Sequence, residues 1–175
     1  TLQLTAPGGR QFTTGLPLGG FGISRFTLDA ALAQLAKQSG VNLLEKTRVD
    51  DIERGEDFVL HFNQGTVQAK LCLGAYGKRG NLDVKWKRPF LQQQNNPLNN
   101  YVGVKYHVKT AWPVNLIGLH NFENGYCGIS KVEDETYCLC YMTRASNLKK
   151  SNNSIETMQE RILYRNPHLR KIFTS

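Results

Sequence analysis

The sequence has few of the features that mark membrane, disulfide-rich or metal-binding proteins. It contains no run of about eighteen apolar residues, which a membrane-spanning helix requires. Its four cysteines are too few for a disulfide scaffold in a chain of 175 residues. Cys138 and Cys140 form a lone Cys-x-Cys pair, which is a poor zinc signal without a second pair or a neighbouring histidine. These absences favour free thiols in a reducing, cytoplasmic compartment and predict no metal site.

The common catalytic signatures are also missing. There is no serine in a G-x-S-x-G elbow, no H-E-x-x-H and no Walker loop. The histidines are scattered, and we expect them to be structural; they are His61, His107, His120 and His168. Gly20-Phe21-Gly22 begins like a dinucleotide-binding fingerprint, but Arg25 takes the place of the last glycine and a Pro/Gly-rich loop precedes it. The sequence therefore predicts no nucleotide cradle here and leaves the catalytic residues unknown.

The charge is strongly basic but dispersed. The formal net charge is +8, and the densest basic runs are residues 85–88 and 149–150. A nucleic-acid-binding protein usually concentrates its charge on one face or in a recognisable motif. We therefore expect a solvated basic surface and no specific nucleic-acid partner. Weak, salt-dependent nucleic-acid binding driven by charge remains an alternative.

The sequence pattern clearly predicts one helix, which ends near Gly40. Leu28, Leu32, Leu35 and Ala36 fall on one stripe, and Gly40 fits the left-handed position that often ends a helix. Thr27 is the predicted N-cap, since its hydroxyl could accept a hydrogen bond from a free N–H of the first turn. A second helix is expected after Ser154, and a short one over residues 169–173.

The rest of the chain has the alternation and turn residues of strands. Strands are predicted at residues 2–5, 11–14, 41–45, 48–53, 58–62, 66–73, 101–109, 115–121, 126–132 and 136–143. Residues 89–100, rich in Asn and Gln, are expected to form a polar connector. The fold class is therefore α+β: an antiparallel sheet with one main packed helix and C-terminal helices. Length alone favours one domain, although two small subdomains are possible.

Three segments together carry a family resemblance. Residues 25–40 fit the pattern R-x-x-L-D-x-x-L-x-x-x-A-x-x-x-G. Residues 71–73 read as a buried strand that runs into Gly74-Ala75-Tyr76-Gly77, and residues 124–129 read N-G-Y-C-G-I. In this order and spacing the segments resemble flavoproteins related to para-hydroxybenzoate hydroxylase, a group that includes geranylgeranyl reductases, flavin-dependent halogenases and electron-transfer-flavoprotein dehydrogenases.

The resemblance implies an FAD-dependent oxidoreductase. It implies that Arg25 lies near the flavin nucleotide and that Gly74, Ala75, Tyr76 and Gly77 form a cofactor-binding turn. Tyr76 stands where the family usually has aspartate, which weakens any role of this turn with a pyridine nucleotide. Residues 1–88 would then be partial FAD-domain elements, and residues 89–175 the substrate-domain sheet.

The same resemblance places an organic, hydrophobic substrate against the second sheet. Tyr126, Tyr137 and Tyr141 are candidates for an apolar wall of that site, and the alternative is that each packs in a core. Alternation puts Tyr137 and Tyr141 on one face of their strand.

Two parts of such an enzyme are missing from the sequence. There is no G-x-G-x-x-G and no Gly-Asp dipeptide, which in the family hold the ADP and the ribityl chain of FAD. The chain also begins with Thr1 rather than methionine. We therefore expect a middle fragment whose full-length parent binds FAD, whereas the isolated chain binds it poorly and is not catalytic.

The fragment hypothesis also predicts apolar surface exposed by truncation, around Phe21 and Ile23 and at the end of residues 71–73. Such a surface could support dimerisation. The rival hypothesis is a self-standing β-rich module that binds an apolar ligand without a cofactor.

Overall fold

The computed structural model describes residues 1–77, 80–91 and 100–174. These residues form two compact units. The first combines the described residues of Thr1–Leu32 and Pro97–Ser175, and the second consists of those in Ala33–Asn96. Helix α1 (Arg25–Gln38) contributes to both. The predicted division at residue 88 concerns the domains of a longer flavoprotein and stays a prediction.

The first unit is built on a six-stranded sheet. Its strands are β1 (Leu2–Thr5), β2 (Gln11–Thr14), β6 (Tyr101–Val108), β7 (Ile117–Phe122), β8 (Gly125–Lys131) and β9 (Tyr137–Arg144). Their order across the sheet is β2-β1-β7-β8-β9-β6. The pairs are antiparallel except β1 with β7, which run parallel with Leu2 opposite Ile117. The N-terminal hairpin therefore belongs to the same sheet as residues 101–144.

Helices cover one face of this sheet. They are α3 (Ala145–Lys150), α4 (Ile155–Arg161) and α5 (Pro167–Thr174), with a 3₁₀ turn at Leu163–Arg165. Because side chains alternate along a strand, every second residue of β9 points into the core beneath these helices. Met158, Leu163 and Leu169 from the helical segments are fully buried against it. The predicted cap of α4 is confirmed, since the Ser154 hydroxyl accepts from the Thr157 N–H at 3.1 Å.

The opposite face of the sheet carries the alternate residues. We call it the open face and define it by Tyr126, Gly128, Cys138, Cys140 and Met142. Tyr126 and Met142 are paired across β8 and β9 and are 45% and 43% exposed. The open face therefore presents apolar side chains that the described helices leave uncovered.

The second unit contains a smaller sheet. Its strands β3 (Val49–Arg54), β4 (Phe58–Phe62) and β5 (Gly65–Ala69) form an antiparallel meander in the order β3-β4-β5. A short helix, α2 (Asn81–Lys85), and a 3₁₀ turn at Pro89–Leu91 complete its described regular structure. Lys85 of α2 forms an ion pair with Asp51 of β3, and the distance between Nζ and Oδ2 is 2.5 Å.

The class α+β is confirmed, but several local predictions were wrong. Residues 41–45 and 71–73 are not strands. Leu71 and Leu73 are 72% and 83% exposed, so an apolar run was mistaken for a buried strand. Helix α1 has no buried residue, although its leucine stripe had predicted packing. Helices α2 and α3 were not predicted, and most of the connector at 89–100 lies outside the described residues.

Candidate cofactor and substrate sites

Arg25 lies in the first turn of α1 and is exposed. Asp29, four residues later, accepts hydrogen bonds from its Nε at 3.2 Å and from its Nη2 at 3.0 Å. The carboxylate raises the pKa of Arg25, mainly through these hydrogen bonds. The ion pair lays the guanidinium along the helix surface, with Nε and Nη2 bonded to the Asp29 carboxylate.

The start of α1 is fixed to the β8–β9 hairpin by Glu133. The carboxylate accepts from the Ser24 N–H at 2.9 Å and from the Thr27 hydroxyl at 2.7 Å. Hydrogen bonds from Ser24 and Thr27 lower the pKa of Glu133 to about 2. A negative group at a helix N-terminus is also favoured by the helix dipole. Glu133 thereby ties the helix that carries Arg25 to the large sheet.

The prediction of Thr27 as the N-cap was wrong by three residues. Ser24 is the cap, because its hydroxyl accepts from the Thr27 N–H at 3.1 Å and its carbonyl accepts from the Leu28 N–H. The Thr27 hydroxyl instead donates to Glu133. Sequence reasoning missed both Ser24 and Glu133, since no local pattern links residues that are 109 positions apart.

A groove of about 310 Å³ adjoins this helix start. Arg25 lines it together with Lys105 and His107 of the edge strand β6, and Glu133 and Asp134 of the hairpin line it as well. Three basic side chains therefore share a groove with two carboxylates, one of which is already engaged in fixing α1.

The predicted cofactor turn lies in the second unit. The Tyr76 hydroxyl donates to Asp83 Oδ1 at 2.8 Å, which raises the pKa of Tyr76. The ring of Tyr76 fills the space beside Gly74 and Gly80, where a Cβ atom at either glycine would meet it. Tyr76 thus packs back into its own unit.

Gly77 is different. Its φ is +72°, a conformation that favours glycine, and a Cβ there would meet nothing within 4 Å. Gly74, Ala75 and Tyr76 line a groove of about 520 Å³ in this unit, whose apolar lining includes Ile52 and Leu60. Arg25 belongs to the first unit, whereas the turn at residues 74–77 belongs to the second.

The three candidate substrate tyrosines are split between the two faces of the large sheet. Tyr137 and Tyr141 are 5% and 2% exposed and belong to the core. The Tyr137 hydroxyl donates to the Trp112 carbonyl at 2.5 Å, and the Tyr141 hydroxyl accepts from Gln159 Nε2 at 3.1 Å. Burial raises the pKa of Tyr141. Tyr126 alone of the three lies on the open face, directly opposite Met142.

Among the described residues, no group of three or more His, Cys, Asp or Glu side chains is arranged to hold a metal ion. Within the same residues, no helix is both long enough and apolar enough to cross a membrane. The four cysteines are free thiols, as predicted.

Solved structures with a similar fold include flavoproteins. A flavoprotein/dehydrogenase from Cytophaga hutchinsonii is 17% identical with a TM-score of 0.58, and the match covers 75% of this chain and 34% of that one. CmlS, a flavin-dependent halogenase, is 18% identical with a TM-score of 0.61, covering 79% of this chain and 26% of that one. HpxO from Klebsiella pneumoniae, complexed with FAD and uric acid, is 17% identical with a TM-score of 0.51, covering 68% and 31%.

No protein-family model and no curated protein matches the sequence. At these identities the comparisons establish the fold: the chain has the fold of one part of these three proteins. It spans about a quarter to a third of the length of these three structures.

Proposed function

We propose that this chain is the substrate-side part of a longer FAD-dependent oxidoreductase, either a reductase or a monooxygenase, that acts on an organic substrate. The observation that carries the proposal is the fold shared with part of several flavoproteins, one of which is complexed with FAD and uric acid. The order of the sequence motifs, from the Arg25 helix to the sheet at residues 124–129, supports the same assignment.

The residues of this chain are suited to part of an FAD site. The exposed Arg25 guanidinium can pair with phosphate or ribose oxygens, and Gly77 leaves room for a close approach to its backbone. Gly74 and Ala75 contribute the rest of the turn, whereas the Tyr76 hydroxyl is already bonded to Asp83. FAD, when bound, supplies the redox chemistry of such an enzyme.

The open face of the large sheet is the proposed wall of the substrate site. Tyr126 and Met142 present apolar surface there, and Gly128, paired with Leu119 and Cys140, adds no side chain between β7 and β9. A flat or extended apolar molecule would bury its surface against these side chains. Of the three candidate tyrosines, the proposal keeps Tyr126; Tyr137 and Tyr141 support the wall from behind.

The rest of the flavoprotein would also cover apolar side chains that are exposed here. Phe21, Leu71 and Leu73 are among the most exposed large apolar residues, in the places where the sequence predicted such surface. Size-exclusion chromatography of the isolated chain and of the whole protein tests this, because a second copy covering the same residues would make the isolated chain a dimer.

Flavin content of the complete natural protein tests the main proposal. We expect stoichiometric FAD, and we expect Arg25→Ala to weaken FAD binding about tenfold or more through loss of a charged contact. Arg10→Ala, which changes an exposed arginine in the N-terminal hairpin turn, is the matched control. A whole protein purified without flavin, and unable to take it up, would overturn the assignment. If the 175-residue chain alone bound stoichiometric FAD, the expectation that FAD binding requires segments outside this chain would be wrong.

A further inference from the structure

A second groove lies on the helix-covered side of the large sheet, away from the open face. It has a volume of about 630 Å³ and runs between residues 109–113 and helix α5. Its lining includes Gln3, Lys109, Trp112, His168 and Lys171. All of these residues belong to the first unit. The groove plays no part in the proposed substrate site, because its strand contribution, Gln3, is on the face that also carries the buried Thr5 and His120.

The ionisable side chains that line the groove are all basic. Lys109, Lys171 and His168 contribute basic groups, and none of the described residues that line it is acidic. In the part of the chain that the structure describes, neither lysine takes part in an ion pair. A concave surface lined by one sign of charge attracts small ions of the opposite sign. The occupant is therefore expected to be an anion.

Trp112 provides a fixed aromatic wall. Its indole Nε1–H donates to the Leu116 carbonyl at 2.8 Å, and its own carbonyl accepts from the buried Tyr137 hydroxyl. Its backbone N–H donates to the Thr110 carbonyl at 2.9 Å. Because these bonds hold the loop before any ligand arrives, little conformational entropy remains to be lost on binding.

His168 is held just as firmly. Its Nε2 lies 3.0 Å from the Gly9 carbonyl oxygen, which can only accept, so Nε2 carries a proton and donates. Its backbone N–H donates to Asn166 Oδ1 at 3.0 Å. Its ring stacks on His120 with the centroids 5.9 Å apart. The groove thus has a rigid floor, and its two lysines are the flexible groups able to close on a ligand.

We propose that this groove binds a small organic anion with a flat apolar body, of the aryl carboxylate class. Lys109 and Lys171 hold the anionic group, and the ring lies against Trp112. The site is separate from the open face, and the proposal holds whether or not the parent protein uses FAD.

Titration of the 15N-labelled chain with 2-naphthoate tests the proposal. The readout is the indole N–H signal of Trp112, which Trp86→Phe distinguishes from that of the other tryptophan. We expect a saturable shift of the Trp112 signal and binding about tenfold weaker for the neutral analogue 2-naphthamide. The double variant Lys109→Met/Lys171→Met should weaken naphthoate binding by a similar factor.

The matched control is Lys149→Met/Lys150→Met, which removes the same charge from helix α3 and should leave the affinity unchanged. Three results would overturn the proposal: equal binding of naphthamide, equal loss in the control variant, or shifts confined to Tyr126 and the other open-face residues. Naphthoate binding that is lost in both double variants would show attraction by net charge and not a site.

Discussion

The carboxylate of Glu133 accepts a hydrogen bond from the backbone N–H of Ser24 at 2.9 Å, across 109 positions of sequence. A residue in the turn between β8 and β9 thereby completes the cap of a helix that is distant from it in sequence. Ser24 satisfies one N–H of the first turn and Glu133 satisfies the N–H of Ser24 itself. The position of Arg25 in the first unit therefore depends on the β8–β9 hairpin.

Removing the charge of Glu133 should loosen the start of α1. In Glu133→Gln the amide keeps the shape of the side chain but loses the charge-assisted bonds to Ser24 and Thr27. We expect faster amide hydrogen exchange at Leu28, whose N–H bonds to the Ser24 carbonyl, and a lower Tm. Glu135→Gln, at an exposed position in the same hairpin, is the control. Unchanged exchange at Leu28 in Glu133→Gln would contradict the capping role.

The contribution of Glu133 should depend on pH in a defined direction. Its folded pKa, about 2, is below its ordinary value of 4.5, so the stabilisation is fully present above 4.5 and is lost as pH falls towards 2. Urea unfolding of the wild-type and Glu133→Gln chains should therefore give different free energies of unfolding at pH 6 that converge near pH 2. A constant difference between the two curves across this range would show that the carboxylate is not specially held.

His120 should also lower the stability of the chain in acid, and at a higher pH than Glu133 does. Burial, with a contribution from His168, lowers the pKa of His120 to about 4 from an ordinary 6.5. Below 6.5 the unfolded chain therefore binds more protons, and stability falls as pH decreases from 6.5 to 4. His120→Gln, which keeps a partner for the Thr5 hydroxyl, should flatten this part of the pH profile. If the two profiles run parallel between pH 7 and pH 4, another group is responsible.

Two glycines on neighbouring strands should respond differently to alanine. A Cβ at Gly118 would lie 2.7 Å from His120 Nε2 and 2.8 Å from the Trp112 ring, so Gly118→Ala should cost about 1–3 kcal/mol of unfolding free energy. At Gly128 the nearest atom would be 3.4 Å away, on Leu119, and Gly128→Ala should stay within about 0.5 kcal/mol of the wild type. Chemical denaturation measures both. Equal effects would mean that the packing around His120 relaxes easily.

Substitutions of the tyrosines should affect stability according to the face of the sheet on which each tyrosine lies. Tyr137→Phe removes the hydroxyl that bonds the Trp112 carbonyl and should cost about 1 kcal/mol. Tyr126→Ala, a larger truncation, should change stability by less than about 0.5 kcal/mol because the side chain is on the open face. Denaturant titrations of both variants measure these changes in the free energy of unfolding. A larger loss of stability in Tyr126→Ala than in Tyr137→Phe would contradict the assignment of faces.

Local patterns predicted much of the fold. Residues 58–62 were predicted as a strand with the bounds that β4 has, because turn residues flank an apolar run on both sides. The four strands of residues 101–144 were predicted to within two residues at each end, and Ser154 was recognised as a cap. Helix α3 was missed because residues 145–150 carry no apolar stripe.

Less of the candidate sites than of the fold could be predicted from the sequence. Alternation correctly placed Tyr137 and Tyr141 on one face, but it could not tell which face the C-terminal helices cover. The same rule, applied across β8 and β9, separates Tyr126 from Tyr141 only once the register is known: Tyr126 lies opposite Met142, and Cys127 opposite Tyr141. Contacts between distant segments, such as Ser24 with Glu133, have no local signal.

The parallel pairing of β1 with β7 has a consequence for how the chain assembles. Residues 2–5 cannot find their place until residues 117–122 exist, so the whole second unit is synthesised between the two halves of one pairing. The antiparallel strands from β6 to β9 are close in sequence and can associate first, with little loss of chain entropy. We therefore expect the N-terminal hairpin to dock after the antiparallel strands have paired. Until it docks, the β7 edge is unpaired and could pair with another chain.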